Sequence, residues 1–463
     1  MCYTLKEKLN KRELSSIAVM LFGLFFGAGN LLFPPIVGQY AGKNILPATI
    51  GLLITAVSLP LLGVVAIGIS RSEGLIELSG KVGGAYKVFF TCALYLTIGP
   101  LFAIPRCAAT PFDTGVKQLL GVTEKTQSAA LLIFSLIFFG LVLAFSLFPG
   151  KIVTWVGKIL TPIFLVFLGV LVIAAFVDPM GTISAVEPSG NYASKAFMSG
   201  FLEGYNTMDA LASLAFGIVV VTAIRDFGVS EPKAVAKSTV KAGIFSCLIM
   251  AVIYVCLVIV GAQSRGSFAL CANGGEVFAL ISDHYFGKIG TFVLAGIFTF
   301  ACLKTAIGLV TSCAETFCQL FPKSFGYKVW AIIFSVVSFI IANFGLSSII
   351  AYSIPVLMFL YPLAITLILL GIFGNLFHHN RYVYGFVTGF TLFEAIFDFI
   401  KALPAFIKTA IRFESFEPVL NKVFPLYEYG VGWLLPAFVG LVVGLIVMFV
   451  TDAKKAKSEA KRS

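Results

Sequence analysis

Apolar residues run along this chain in blocks, separated by short stretches rich in Gly, Pro, Asn and Lys. A helix needs about 17–25 mostly apolar residues to cross a bilayer. By that measure the pattern predicts twelve spans, at residues 14–39, 45–69, 86–110, 127–147, 150–177, 198–222, 240–262, 288–313, 329–344, 347–371, 383–400 and 431–450. No connection is long enough to form a soluble domain. The expected fold class is an all-α integral membrane protein of about twelve transmembrane helices, built as one membrane domain.

Two spans carry polar and small residues where an uninterrupted helix would not. The first reads LFGLFFGAGNLLFPP (residues 21–35), with Gly27, Gly29 and Asn30 in its middle and Pro34 and Pro35 one turn later. Glycine weakens a helix by about 1 kcal/mol against alanine, and proline removes a backbone donor. The sixth reads FLEGYNTMDALASLAFG (residues 201–217), where Glu203, Asn206 and Asp209 crowd around Gly204. Broken backbone at membrane depth is tolerated only where it lines a cavity or is buried in protein. Breaks in spans one and six open two blocks of five, the arrangement of inverted-repeat transporters with a midplane substrate site. Freed amides at a half-helix N-terminus suit a carboxylate, and freed carbonyls suit a small cation. The competing reading, a close-packing glycine face, does not ask for Asn30 or the double proline.

The eighth span adds a stripe. Lys304, Gly308, Thr311, Ser312 and Glu315 share one helix face, which must look into the bundle or a wet cavity. The hydroxyls of Thr311 and Ser312 could hold an alkali cation or simply bond a carbonyl one turn back.

Composition agrees with the spans. Of 463 residues, 59% are hydrophobic and 12% charged, against about 25% charged in a soluble domain. Soluble enzymes, nucleic-acid-binding modules and disordered chains are thereby excluded. The net charge of +11 needs no nucleic-acid partner. With the N-terminus inside, Lys and Arg divide roughly two to one in favour of the cytoplasmic segments. Both termini are therefore expected in the cytoplasm and the chain in the cell membrane. The nine cysteines show neither CxxC pairs nor transition-metal spacing and read as packing residues; Cys2 is given no role. Glu394, Asp398 and Lys401, at i, i+4 and i+7 of span eleven, read as a charge-paired peripheral face rather than a proton relay. No span contains a histidine and no GxSG, GxGD or GxxxxGK[ST] run occurs, which speaks against an embedded enzyme or an ATP-driven pump. A channel would show a filter repeat or a charged ring.

The stretches GLFFGAGNLLFPPIVGQYAG (residues 23–42) and TAIGLVTSCAETF (residues 305–317) resemble the branched-chain amino acid:cation symporters, a family of the amino acid–polyamine–organocation superfamily. The resemblance runs end to end. It implies a LeuT-type fold: a first five-helix repeat (14–177), a second, inverted one (198–371), and two peripheral helices (383–450), between a cytoplasmic segment (1–13) and a basic tail (451–463). It also implies import of leucine, isoleucine and valine coupled to Na⁺ or H⁺, with no other cofactor and no obligate protein partner. By the same resemblance the amides of Ala28, Gly29 and Asn30 hold the substrate carboxylate. The break formed by Gly204, Tyr205, Asn206, Met208 and Asp209 takes the ammonium. The Gly23 and Phe26 carbonyls, with Gly308, Thr311 and Ser312, hold a sodium ion. Apolar Phe33, Met208 and Leu211 beside the breaks fit an aliphatic side chain; another neutral amino acid is the close alternative.

Lys304 fits no part of that pattern. It stands two turns, about 10 Å, from Thr311, too far to share its cation. Some proton-coupled relatives use a lysine from helix 5 in place of sodium, but here Lys158 lies only near that helix's cytoplasmic start. A buried lysine needs compensation: an acid such as Asp209 or Glu203, a neutral state, or a watery external vestibule. The vestibule, with a coupling or gating role, is the expectation. The coupling ion stays open.

Overall fold

The structure, a computed structural model, describes residues 8–70, 72, 74–410 and 412–460. Of residues 406, 414 and 454–460 it describes the backbone alone. Cys2, Arg71, the first seven residues of the N-terminal segment and the last three of the basic tail lie outside it. Among the described residues every regular element is helical. Among the described residues ten helical runs are long and apolar enough to cross a membrane, and a shorter apolar helix, Tyr327–Ala342, lies where the ninth span is expected. One run, Ala28–Ile69, joins two expected spans through a turn at Gly42, whose φ of +48° suits glycine.

The helices that frame the site are α1 (Lys11–Phe25), α2 (Ala28–Ala41), α3 (Ala103–Pro111), α4 (Thr161–Val177), α5 (Ala196–Glu203), α6 (Asp209–Asp226), α7 (Pro232–Ser264), α8 (Lys288–Leu320), α9 (Leu346–Phe373), α10 (Arg381–Ala402) and α11 (Leu434–Ala460). Helices α6 and α8 run through the middle, with nearly every residue of α6 buried. The outer helices turn apolar side chains such as Ile133, Leu136, Val166 and Ile173 outward at 60–66% exposure. In a bilayer, lipid tails would cover that surface at no hydrophobic cost.

Both expected breaks are present. The first span stops at Phe25 and restarts at Ala28 across an extended Gly27. The sixth passes from α5 through one tight turn, 204–207, to Met208, whose φ of +65° lies in the left-handed region, before α6 begins at Asp209. Such a conformation costs a non-glycine residue about 1–3 kcal/mol, so tertiary packing enforces this break.

Glycines set how closely α2 and α7 approach. A side chain on Gly38 would collide with the Val258 carbonyl, and one on Gly261 with the Pro35 carbonyl. This is the small-residue contact of membrane helices. Gly38→Val or Gly261→Val is therefore expected to destabilise the protein by about 1–3 kcal/mol or more, since backbone cannot step aside as a side chain does. Thermal unfolding in detergent measures it, with Gly140→Val, which meets open space, as the control.

Helices α10 and α11 pack on each other, and α10 packs on α9. Here the peripheral face expected of Glu394, Asp398 and Lys401 is corrected. Glu394 is 0% and Asp398 4% exposed, and Glu394 Oε1 lies against Gly432. Lys401 turns away to the Tyr427 carbonyl at 2.9 Å and Glu417 at 3.9 Å. The acids face inward because the segment 427–433 folds over that side of α10. The eight described cysteines are free.

Candidate functional site

The two breaks meet. Between them lies a cavity of about 30 Å³, lined by Gly27–Asn30 from the start of α2, Thr207–Asp209 from the turn into α6, Arg106 and Cys107 from α3, and Thr305 from α8. Its remaining walls are apolar and include Leu24, Phe25, Phe216 and Leu309.

Asn30 holds the first break in shape. Its Oδ1 accepts the Gly27 amide at 2.8 Å, so a side chain in the first turn of α2 reaches back to cap its own helix. Its Nδ2 donates to Asp209 Oδ2 at 2.7 Å and to the Tyr254 hydroxyl. Tyr254 donates in turn to Asp209 Oδ2 at 2.8 Å. This closed triangle ties α2, α6 and α7 together with its polar atoms satisfied, the condition under which a buried network rigidifies. The remaining first-turn amides of α2 lack intrahelical partners by construction.

The residues expected at the second break separate into two groups. Met208 and Asp209 line the cavity, and Thr207, which the motif alone does not single out, joins them. The Asn206 carbonyl accepts from Arg106 Nη1 at 3.0 Å. Gly204 and Tyr205 turn elsewhere: Gly204 packs against Thr55, and the Tyr205 ring stacks on Tyr361 at 4.1 Å. The tight turn rotates them off the cavity face.

The expected sodium site is not assembled as the motif implies. Lys304 is 0% exposed, and its Nζ donates to the carbonyls of Gly23, at 2.9 Å, and Phe26. The rings of Phe164, Phe22 and Phe26 surround it at 4.6–5.7 Å. Thr305 Oγ1 donates to the Leu24 carbonyl at 3.1 Å. The end of α1 thus offers its orphan carbonyls to a donor, and that donor is the lysine amine. Neither the vestibule nor an acidic partner describes Lys304. Measuring along α8 from Thr311 misleads, because the freed carbonyls lie level with Lys304, two turns away from the hydroxyls. Gly308 packs against Leu24 and Phe216, Ser312 Oγ donates to the Ala215 carbonyl at 2.7 Å, and Thr311 Oγ1 makes no hydrogen bond. Thr311→Val is therefore expected to leave any Na⁺ or pH response of uptake unchanged. Ser312→Ala should cost about 1 kcal/mol of stability through the lost α8–α6 bond. A collapse of the cation response in either variant would return the hydroxyl pair to the site.

Arg106 is the site residue that charge counting misses. By that count it belongs with Lys117 and Lys125 outside the membrane; instead α3 buries it at 4% exposure against the cavity. A lone arginine inside an apolar stretch is the signal that could have found it.

Two larger chambers lie beyond Phe33, of about 300 and 420 Å³, and both are bordered by Tyr40, Tyr192 and Glu203. An ion pair between Lys195 and Glu428 closes one side and links segment 427–429 to the start of α5. Its hydrogen bond and charge hold Glu428 below the usual carboxylate range.

A multi-pass bundle with two central helices broken opposite each other around a buried cavity has the architecture of the LeuT-type fold. Solved structures bear the fold out. The chain matches Mhp1, a nucleobase-cation-symport-1 family transporter, closed with bromovinylhydantoin bound, at TM-score 0.57 and 14% identity over 96% of this chain and 93% of that one. It matches MhsT in complex with L-phenylalanine at TM-score 0.55 and 16% identity, over 96% and 99%. The model of the branched-chain amino acid transport protein family covers residues 10–451, and the chain belongs to that family. It is 51% identical to the branched-chain amino acid permease BrnQ of Lactobacillus delbrueckii subsp. lactis, over 98% of this chain and 100% of that one. It is 39% identical to the branched-chain amino acid transport system 2 carrier protein of Pseudomonas aeruginosa, over 94% and 95%. The family consists of transport proteins rather than enzymes.

Proposed function

We propose that the chain imports leucine, isoleucine and valine across the cell membrane by alternating access, with both termini in the cytoplasm, in symport with protons. The observation that carries the reading is the cavity between the two breaks. It joins first-turn amides of α2 (Ala28, Gly29, Asn30), suited to a carboxylate, with apolar walls suited to an aliphatic side chain. The names of the relatives point to the same substrates. At about 30 Å³ the cavity must widen to admit leucine, which an alternating-access cycle supplies.

Lys304 supports the choice of ion. Its amine takes the carbonyl pair that a sodium ion would need, and an ammonium, unlike sodium, can give up its charge as a proton. Counterflow of leucine, isoleucine, valine and alanine in proteoliposomes, with Na⁺ and pH varied separately, tests both parts. The three branched substrates should exchange in preference to alanine, and an imposed proton gradient should drive accumulation without Na⁺. Equal exchange of alanine would overturn the substrate class. Accumulation that requires Na⁺ and ignores the proton gradient would overturn the ion.

A further inference from the structure

Arg106 is a buried cation without an anion. Its Nη1 bonds the Asn206 carbonyl, its Nε has no partner, and its guanidinium lies 5.7 Å from the Phe33 ring. Its Nη2 faces the start of α2: a side chain on Gly29 would begin 2.9 Å from it. Among the described residues no carboxylate comes within 4 Å. A buried charge is costly unless it is paired and hydrogen-bonded. Asp209, on the same cavity, is in the mirrored position. Neutral Asn30 and Tyr254 hold it, and among the described residues no Lys, Arg or His side chain pairs with it. One cavity thus carries a guanidinium and a carboxyl group that no ion pair joins, groups complementary to the two ends of a zwitterion.

We infer that Arg106 binds the α-carboxylate of the substrate, using its Nη2 and Nε edge as a fork, while Asp209 faces the α-ammonium. A guanidinium presents two parallel donors to a carboxylate, and the first-turn amides of α2 add their partial positive charge on the same side. Because Phe33 also borders the outer 300 Å³ chamber, Arg106 stands where substrate passes from chamber to cavity. The inference rests on the transport reading and names the element that recognises the substrate's head.

Competition against radiolabelled leucine on the full-length protein in nanodiscs tests it, with valine and leucinamide as competitors. Leucinamide keeps the side chain and the amine but lacks the carboxylate. Wild type should favour valine over leucinamide by at least about 30-fold, the scale of a lost buried charge pair. Arg106→Gln should weaken leucine by a similar factor and shrink the preference to a few-fold, and Arg106→Lys should restore part of it. A purely structural Arg106 would weaken both competitors alike and leave the preference intact, which overturns the assignment. If Arg106→Gln does not fold, Arg106→Lys and the wild-type comparison decide: leucinamide competing as well as valine overturns it without any variant. A wild type that binds leucine but keeps its preference in Arg106→Gln removes only Arg106. A wild type that binds none of the branched amino acids removes the transport reading and this inference together.

Discussion

Gly29→Leu is expected to abolish leucine uptake, by at least about 100-fold, the loss that misplaced binding geometry commonly brings. The first carbon of the new side chain meets Arg106 Nη2 at 2.9 Å and the Thr207 backbone at 3.1–3.2 Å. The rest must enter a cavity of about 30 Å³. Asn30→Leu should be as severe for a different reason. It frees the Gly27 amide and strips Asp209 and Tyr254 of a donor, and each buried group left unsatisfied costs about 1–3 kcal/mol. Uptake into vesicles, normalised to folded protein by size-exclusion profile, measures both. Gly29→Ala, smaller but on the same contact, should fall between. Normal uptake by Gly29→Leu and Asn30→Leu would remove the substrate from this region.

The second large effect concerns Lys304. Lys304→Gln keeps a donor near the Gly23 and Phe26 carbonyls but has no proton to give. Exchange of substrate down its own gradient should survive, while accumulation driven by a pH gradient falls to background. Lys304→Leu should be worse, because two buried carbonyls lose their donor at about 1–3 kcal/mol each; lower thermal stability should accompany lower uptake. Uptake against pH for the three proteins decides the matter. Coincident curves would reduce Lys304 to a tolerated buried amine.

Much of this was legible in the chain. The spans follow from apolar block length, and both breaks from glycine, asparagine and proline inside such blocks, because a bilayer tolerates few ways of satisfying backbone groups. The inward stripe of α8 was legible from its period, with Lys304 and Ser312 at 0% and Thr311 at 1% exposure. Its chemistry was not. Sequence gives the height of a residue along its own helix but not the height of the neighbouring helix's broken end, so the resemblance's pairing of Thr311 and Ser312 with Gly23 and Phe26 could not be checked from the chain alone. Arg106 was hidden for a related reason, as its span ends four residues later and charge alone assigns it to the loop. The inward turn of Glu394 and Asp398 depends on the segment 427–433 folding back, a long-range contact that no local period encodes.

Proton symport through the Lys304 amine, held at the end of α1, would have a thermodynamic consequence. A dissolved ion can be bound, carried and released in any number the sites allow, whereas in the proposed proton symport an amine tethered to α8 would never leave and would hand over a single proton per cycle. Under that reading, one zwitterion moved with one proton would fix a one-to-one stoichiometry. The steepest gradient such a carrier can sustain is then tenfold for each roughly 59 mV of proton-motive force, and no improvement in affinity at the substrate cavity would raise that ceiling.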